Sequence, residues 1–151
     1  MTRKLTIAKS YTFEAAHQLG LNENTPEENF KLFGKCARLH GHSYTLTVEV
    51  TREVDAVTGM VINYSELDNI VRPLLEERLD HHFLNTSLSD VEFYRDGWIH
   101  TNFQMTAENI AEAIAWLLTT PRYDSPMFNN RLTLVSITIQ ETAKTKAVFR
   151  P

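Results

Sequence analysis

Along residues 5 to 17 the odd positions carry Leu5, Ile7, Tyr11, Phe13 and His17. Alternation of this kind predicts a half-buried strand. Residues 42 to 51 alternate again, with Tyr44, Leu46, Val48 and Val50 on one face, and give a second strand as hairpin partner of the first. Residues 21 to 35, LNENTPEENFKLFGK, are polar and turn-rich and read as a loop. DAVTG, ending at Gly59, is a turn. At Ser65 the period changes. Leu67, Ile70, Val71, Leu74, Leu75 and Leu79 form a helical stripe, begun by Ser65 with Asp68 as its capping-box partner. Pro73 lies inside that stripe, where a proline kinks or shortens a helix. Residues 84 to 105 hold no clear period, and a loop of about 20 residues in a compact domain is uncommon and often functional. Thr106 caps a second helix with the stripe Ala107, Ile110, Ala111, Ile114, Leu117 and Leu118, closed by Pro121. LTLVSITIQE and KAVF then read as two strands joined by a short turn near Ala143 and Lys144.

The order strand, strand, helix, helix, strand, strand argues for an α+β fold. Tight turns between strand pairs imply a four-stranded antiparallel sheet with both helices on one face. Such a sheet has two free edges and an uncovered face, and edges are usually paired or protected. Pairing of subunits edge to edge, and so an oligomer, is expected.

Length and composition narrow the classes. A chain of 151 residues has room for one domain, 1–151. Apolar and charged fractions of 42% and 23% are ordinary for a globular protein. No apolar run approaches the ~18 residues of a membrane span, and the N-terminus lacks a signal-peptide pattern. A cytoplasmic location is expected and no membrane partner. One cysteine excludes an internal disulfide. A net charge of −4 without a Lys/Arg cluster argues against nucleic acid as a ligand.

The chemistry concentrates in GKCARLHGHSY, residues 34 to 44. His40 and His42 stand two apart with strand parity, so their imidazoles point the same way if the strand begins at His40. Gly41 between them removes crowding. His17 ends the partner strand. Three neutral imidazoles with an open fourth position are the usual form of a catalytic zinc site. A cupin barrel also uses His-x-His, but expects a glutamate four or five residues later; here Glu49 is seven residues on and there are too few strands. Cys36 has two readings. Most unpaired cysteines are small buried hydrophobes. Yet Lys35, Arg38 and a nearby zinc would favour the thiolate. In LDHHFLN, residues 79 to 85, Asp80 beside a histidine can orient the ring for acid or base work, although histidines at a helix C-terminus have a dipole explanation too. Glu141 shares a strand face with Ile137 and Ile139; it lies in water at a strand end or accepts two adjacent N–H groups of a ligand.

FEAAH with His17, Cys36-x-x-x-HGH, LDHHFLN, TAEN at 106 to 109 and the late Glu141-Thr142 occur in this order. Together they resemble the 6-pyruvoyl-tetrahydropterin synthase / 6-carboxy-tetrahydropterin synthase family across nearly the whole chain. The resemblance implies a T-fold. Three subunits would close their sheets into a barrel, and two trimers would stack into a homohexamer with active sites at subunit interfaces. It also implies zinc on His17, His40 and His42, Cys36 as general base assisted by Asp80 and His81, and Glu141 on the 2-amino-pyrimidinone edge of a pterin. Thr106 would join the same pocket, although helix capping accounts for it equally.

The implied substrate is 7,8-dihydroneopterin triphosphate. Cleavage of its side chain would release acetaldehyde and triphosphate and leave a 6-carboxy product; without cleavage a 6-pyruvoyl product remains. Lys35 and Arg38 would meet the triphosphate, or are solvated surface residues. The three-residue gap between Cys36 and His40, and the doubled His81-His82, resemble the carboxy branch of queuosine precursor biosynthesis. EENFKLFGKC and the long 86–105 segment resemble the pyruvoyl branch of tetrahydrobiopterin biosynthesis. A folate-precursor branch has a glutamate in the cysteine region, where this chain has Cys36-Ala37-Arg38-Leu39. A zinc- or pterin-binding module without turnover is the reading from another class; intact Cys36, Asp80 and His81 argue against it.

Overall fold

The computed structural model describes residues 2–120, Met127 and 132–151. Two long strands dominate it. β1 spans Lys4–His17 and β2 spans His40–Glu53, antiparallel from Lys4 opposite Glu53 to His17 opposite His40. From Tyr11 and Tyr44 onward their inward positions are those read from the alternation; Leu5, at the start of β1, is exposed and Ile7 half-buried. Tyr11, Phe13, Ala15 and His17 on β1, and Tyr44, Leu46, Val48 and Val50 on β2, are buried. Phe13 stacks on its cross-strand partner Tyr44, with ring centroids 4.9 Å apart.

The stretch between them is not a plain loop. α1, Pro26–Phe33, begins with a capping box in which the Glu28 N–H donates to Thr25 Oγ1 (3.2 Å) and the Thr25 N–H donates to Glu28 Oε2 (2.7 Å). Pro26 sits in its first turn, where the missing N–H costs nothing. No residue of α1 is buried, so no apolar stripe betrays it. A tight helical turn over Gly34–Ala37 leads into β2.

α2, Tyr64–Leu74, starts at Asn63 rather than Ser65; Asn63 Oδ1 accepts from the Ser65 N–H (3.0 Å). Asp68 is not a capping partner, because Lys9 and Tyr11 of β1 hold its carboxylate. Pro73 shapes the far end: the helix relaxes into a wide turn over Leu75–Leu79, closed by the Asp80 N–H on the Leu75 carbonyl (2.7 Å). β3, His82–Phe83, then pairs parallel to β1 at Ala15 and Ala16, and α3, Leu84–Ser87, follows. Residues 84–105 therefore contain structure. β4, Phe93–Arg95, and β5, Trp98–His100, form a hairpin whose turn residues Asp96 and Gly97 both have positive φ (53° and 81°). The buried Glu112, in the helix that follows, holds Arg95 of this hairpin at 3.3 Å.

α4, Ala107–Thr119, is capped by Thr106 as expected; Pro121, expected to close it, lies outside the described residues. β6, Thr133–Thr142, and β7, Thr145–Phe149, form the last hairpin. The sheet order is β3-β1-β2-β6-β7. The expected four-stranded antiparallel sheet is present, extended by the short parallel β3, which arises because the chain leaves α2 alongside β1. α2 and α4 bury Leu67, Ile70, Val71, Ile110, Ala111 and Ile114 in the same core as the inward face of the sheet. The opposite face is lined by Ser10, Thr12, Glu14, Ser43, Thr45 and Thr47, exposed or half-buried and linked by Ser10–Thr47 and Ser43–Glu14 hydrogen bonds of 2.8 Å each.

Candidate active site

The β1–β2 register decides where the histidines meet. His17 lies opposite His40, and His42 is two residues further along the same face of β2. One ring nitrogen from each lies within 4.8 Å of the other two. Gly41 is required by this approach, because a Cβ there would stand 2.8 Å from the Ala15 carbonyl oxygen.

Backbone carbonyls fix two of the rings. His17 Nδ1 donates to the Met105 carbonyl and His40 Nδ1 to the Arg38 carbonyl, both at 2.6 Å. A carbonyl only accepts, so both Nδ1 atoms carry the proton and both Nε2 atoms present lone pairs. This is how proteins orient imidazoles toward a metal. Burial, with His40 and His42 nearby, moves the His17 pKa below the usual imidazole range against the opposing hydrogen bond to Met105. His17 is therefore neutral at pH 7. The three rings fit a divalent ion bound by nitrogen ligands.

Glu141 of β6 adds a carboxylate, its Oε1 at 3.9 Å from His17 Nε2. With His17 neutral this is not an ion pair, and the carboxylate keeps its accepting capacity. Tyr44 lies beside the cluster, its ring 5.3 Å from that of His42. Its hydroxyl is fully buried without a hydrogen-bond partner among the described residues, and burial and the Glu141 charge both raise its pKa. Thr106 Oγ1 accepts from the Asn109 N–H (3.3 Å) and is occupied as a cap. Its neighbour Met105 supplies the contact to His17.

Cys36 is exposed, in the tight turn that precedes His40. Its carbonyl accepts from the Leu19 N–H (2.9 Å). Arg38 lies over the Phe30 ring at 5.1 Å, in a cleft with Lys31.

Asp80 and His81 lie on the other edge of β1. Asp80 Oδ1 accepts from the Glu14 N–H (2.9 Å), and Oδ2 is 3.0 Å from His81 Nδ1. The Glu14 N–H, with His81 adding to it, holds the Asp80 carboxyl below the usual range. His81 has φ 62°, and its N–H donates to the Glu14 carbonyl (2.6 Å). This conformation projects the ring outward. His82, by contrast, donates from Nε2 to the Glu76 carbonyl (3.2 Å) in the wide turn after α2. His42 and His81 line one cleft of about 500 Å³ together with Glu14 and Ser43. Among the described residues no hydrogen bond or ion pair joins Cys36 to Asp80 or His81.

Comparison with known proteins adds the family. Residues 6–151 match the family model described as 6-pyruvoyl tetrahydropterin synthase. The chain belongs to the 6-pyruvoyl tetrahydropterin synthase family. The Drosophila melanogaster 6-pyruvoyl tetrahydrobiopterin synthase is 36% identical over 107 residues, which cover 70% of this chain and 58% of that protein. The Synechocystis sp. 6-carboxy-5,6,7,8-tetrahydropterin synthase is 42% identical over 86 residues, covering 54% of this chain and 59% of that protein. The Caenorhabditis elegans 6-pyruvoyl tetrahydropterin synthase structure superposes with a TM-score of 0.71 at 28% identity, covering 99% of this chain and 96% of that one. The α+β fold is the T-fold. Residue spacing gave Tyr44 only a place on the inward strand face and gave Met105 no role; the packing around His17 and His42 brings both to the site.

Proposed function

We propose that this family member is a zinc-dependent lyase. It would convert 7,8-dihydroneopterin triphosphate and water to 6-carboxy-5,6,7,8-tetrahydropterin, acetaldehyde and triphosphate, in queuosine precursor biosynthesis. The observation that carries the carboxy branch is the three-residue gap between Cys36 and His40, which runs from the tight turn Gly34–Ala37 to the start of β2. The metal site is supported by the two protonated Nδ1 atoms on backbone carbonyls, which leave the Nε2 atoms of His17 and His40 without a proton. His17, His40 and His42 would hold the zinc. When bound, the ion supplies Lewis acidity toward the hydroxyls of the substrate side chain.

The remaining roles belong to side chains. Glu141 accepts two adjacent N–H groups of the pterin ring and fixes its orientation. The Cys36 thiolate removes and returns protons at the side-chain carbons. Asp80 orients His81 through its 3.0 Å contact and stabilises the charged ring when it takes a proton. Thr106 orders the start of α4 and, through Met105, the His17 ring. Among the described residues no hydrogen bond or ion pair joins the thiol to the dyad within one chain. A homohexamer of single T-fold domains, a dimer of trimers with active sites between subunits, would bring them together. The edge of β1, unpaired among the described residues beyond the two residues of β3, supports that assembly. The reaction is assigned to the cytoplasm.

A second reading has its own support. The EENFKLFGKC segment and the pyruvoyl-synthase relatives favour elimination of triphosphate without cleavage, giving the 6-pyruvoyl product of tetrahydrobiopterin biosynthesis. Mass spectrometry of the products from 7,8-dihydroneopterin triphosphate, with acetaldehyde assayed in parallel, separates the two. A 6-carboxy product with acetaldehyde supports the first. A 6-pyruvoyl product without acetaldehyde replaces it with the second. Absence of turnover in folded, zinc-loaded protein would leave a binding module.

A further inference from the structure

β1 ends at His17. Beyond it, the backbone of Gln18, Gly20 and Leu21 is paired by side-chain amides instead of another strand. The Gln18 N–H donates to Asn85 Oδ1 (3.0 Å) and Asn85 Nδ2 donates to the Gln18 carbonyl (2.8 Å). The Gly20 N–H donates to Gln104 Oε1 (3.0 Å) and Gln104 Nε2 donates to the Gly20 carbonyl (2.8 Å). The Leu21 N–H donates to Asn29 Oδ1 (2.9 Å) and Asn29 Nδ2 donates to the Leu21 carbonyl (3.1 Å). Each amide thus satisfies both polar groups of one residue, as a directly opposite residue does in an antiparallel ladder. Gly20 admits the third amide, because a Cβ there would stand 3.0 Å from Asn29 Nδ2.

Leu19, between two clasped residues, faces the other way. Its N–H donates to the Cys36 carbonyl (2.9 Å), and Gln18 Nε2 donates to the Ala37 carbonyl (2.8 Å). The turn that carries the thiol therefore hangs from a segment whose neighbouring residues the amides clasp. The same amides connect to the histidines. Gln104 precedes Met105, whose carbonyl orients His17, and the Gln104 carbonyl itself accepts from Asn109 Nδ2 (2.8 Å).

We infer that Asn85 and Gln104 are positioning residues, which set the place of the Cys36 thiol relative to the His17–His40–His42 cluster through residues 18 to 20. The catalytic part of this inference rests on the proton-transfer role given to Cys36 above. An amide suits the task because it offers a donor and an acceptor in one plane at strand spacing. A carboxylate of the same shape turns the donating contact into a repulsive one between two oxygens.

The test uses the full-length, metal-loaded protein with Asn85→Asp, Gln104→Glu and Gln18→Met. The last removes only the tie to Ala37 from a side chain at the surface, so folding is not at risk. Three quantities are read: hydrogen exchange at the Leu19 amide, the rate of Cys36 alkylation by iodoacetamide at one pH, and kcat separately from KM. In Asn85→Asp and Gln104→Glu, exchange at Leu19 should rise about tenfold or more, the scale of a lost buried hydrogen bond. In all three variants alkylation should move at least about threefold and kcat fall about tenfold, with KM and metal stoichiometry near wild type. Wild-type alkylation and kcat despite faster Leu19 exchange would overturn the inference, and so would loss of metal in step with activity. If Cys36→Ala retains turnover, the role given to the thiol fails, while exchange and alkylation still decide whether the clasp positions it.

Discussion

The Nε2 atoms of His17 and His42 stand 3.1 Å apart. His17 Nδ1 already donates to Met105, so its Nε2 offers a lone pair toward the neighbouring ring. In the metal-free chain the His42 Nε2–H donates to that lone pair, and a bound cation takes the place of this proton. Loading with zinc should therefore stabilise the fold. At a free concentration about 100 times Kd the gain is about 2.7 kcal/mol, or about 5–10 °C in Tm for a chain of this size. Calorimetry with and without a chelator reads this, and metal analysis of His40→Ala should show less bound zinc. Stoichiometric zinc in His40→Ala would remove that residue from the ligand set.

Gly41 lets the two strands approach at this point, and the obstacle to a side chain there is backbone, not a flexible neighbour. Gly41→Ala should spread the hairpin between His40 and His42. The expected cost is about 1–3 kcal/mol in urea unfolding, with weaker metal binding. An unchanged unfolding midpoint would mean that the hairpin yields there freely.

The long strands and α4 were legible because their burial is one-sided and regular, and the cluster of His17, His40 and His42 followed from strand parity and the hairpin. α1 was missed although Thr25-Pro26 and Glu28 spell its start, because a helix with no buried residue has no apolar period. The β4–β5 hairpin was missed although Asp96-Gly97 is a turn pair, because its strands are three residues each. Asn63 displaced Ser65 as a cap for a tertiary reason: Asp68 was claimed by β1. The amide clasp was beyond reach, since nothing local tells Asn85 that Gln18 will lie opposite it.

Cys36 makes no side-chain hydrogen bond among the described residues and is exposed, so truncating it disturbs little packing. Cys36→Ala should keep the fold and the bound zinc and lower product formation by about 10²–10⁴-fold, the range for loss of a general base. Activity within a factor of a few of wild type would assign proton transfer elsewhere.

Tyr44 presents the opposite case, a fully buried hydroxyl without a partner among the described residues. Leaving a buried polar group unsatisfied costs about 1–3 kcal/mol, and phenylalanine keeps the stacking on Phe13. Tyr44→Phe should thus raise the urea midpoint of ligand-free protein by an amount of that order. A lower midpoint would show that the hydroxyl already contributes a bond to the folded state.

Asp68 ties α2 to β1. Its Oδ1 accepts from Lys9 Nζ (2.6 Å) and the Tyr11 hydroxyl (2.9 Å), and Arg72 Nε lies 3.8 Å from Oδ2. The Lys9 contact foremost, then Tyr11 and the charges of Lys9 and Arg72, hold its carboxyl below the usual carboxylate range. A folded pKa below the unfolded value means that the unfolded chain takes up the proton first as pH falls. The stabilisation is therefore present above the unfolded carboxylate pKa of about 3.9 and lost as pH falls through the folded value. The Tm difference between wild type and Asp68→Asn should be widest near neutrality and should narrow once pH drops below about 4. A difference that stays constant into that acid range would show that the carboxylate charge does not hold α2 in place, and that the hydrogen bond from Tyr11, which asparagine can still accept, does.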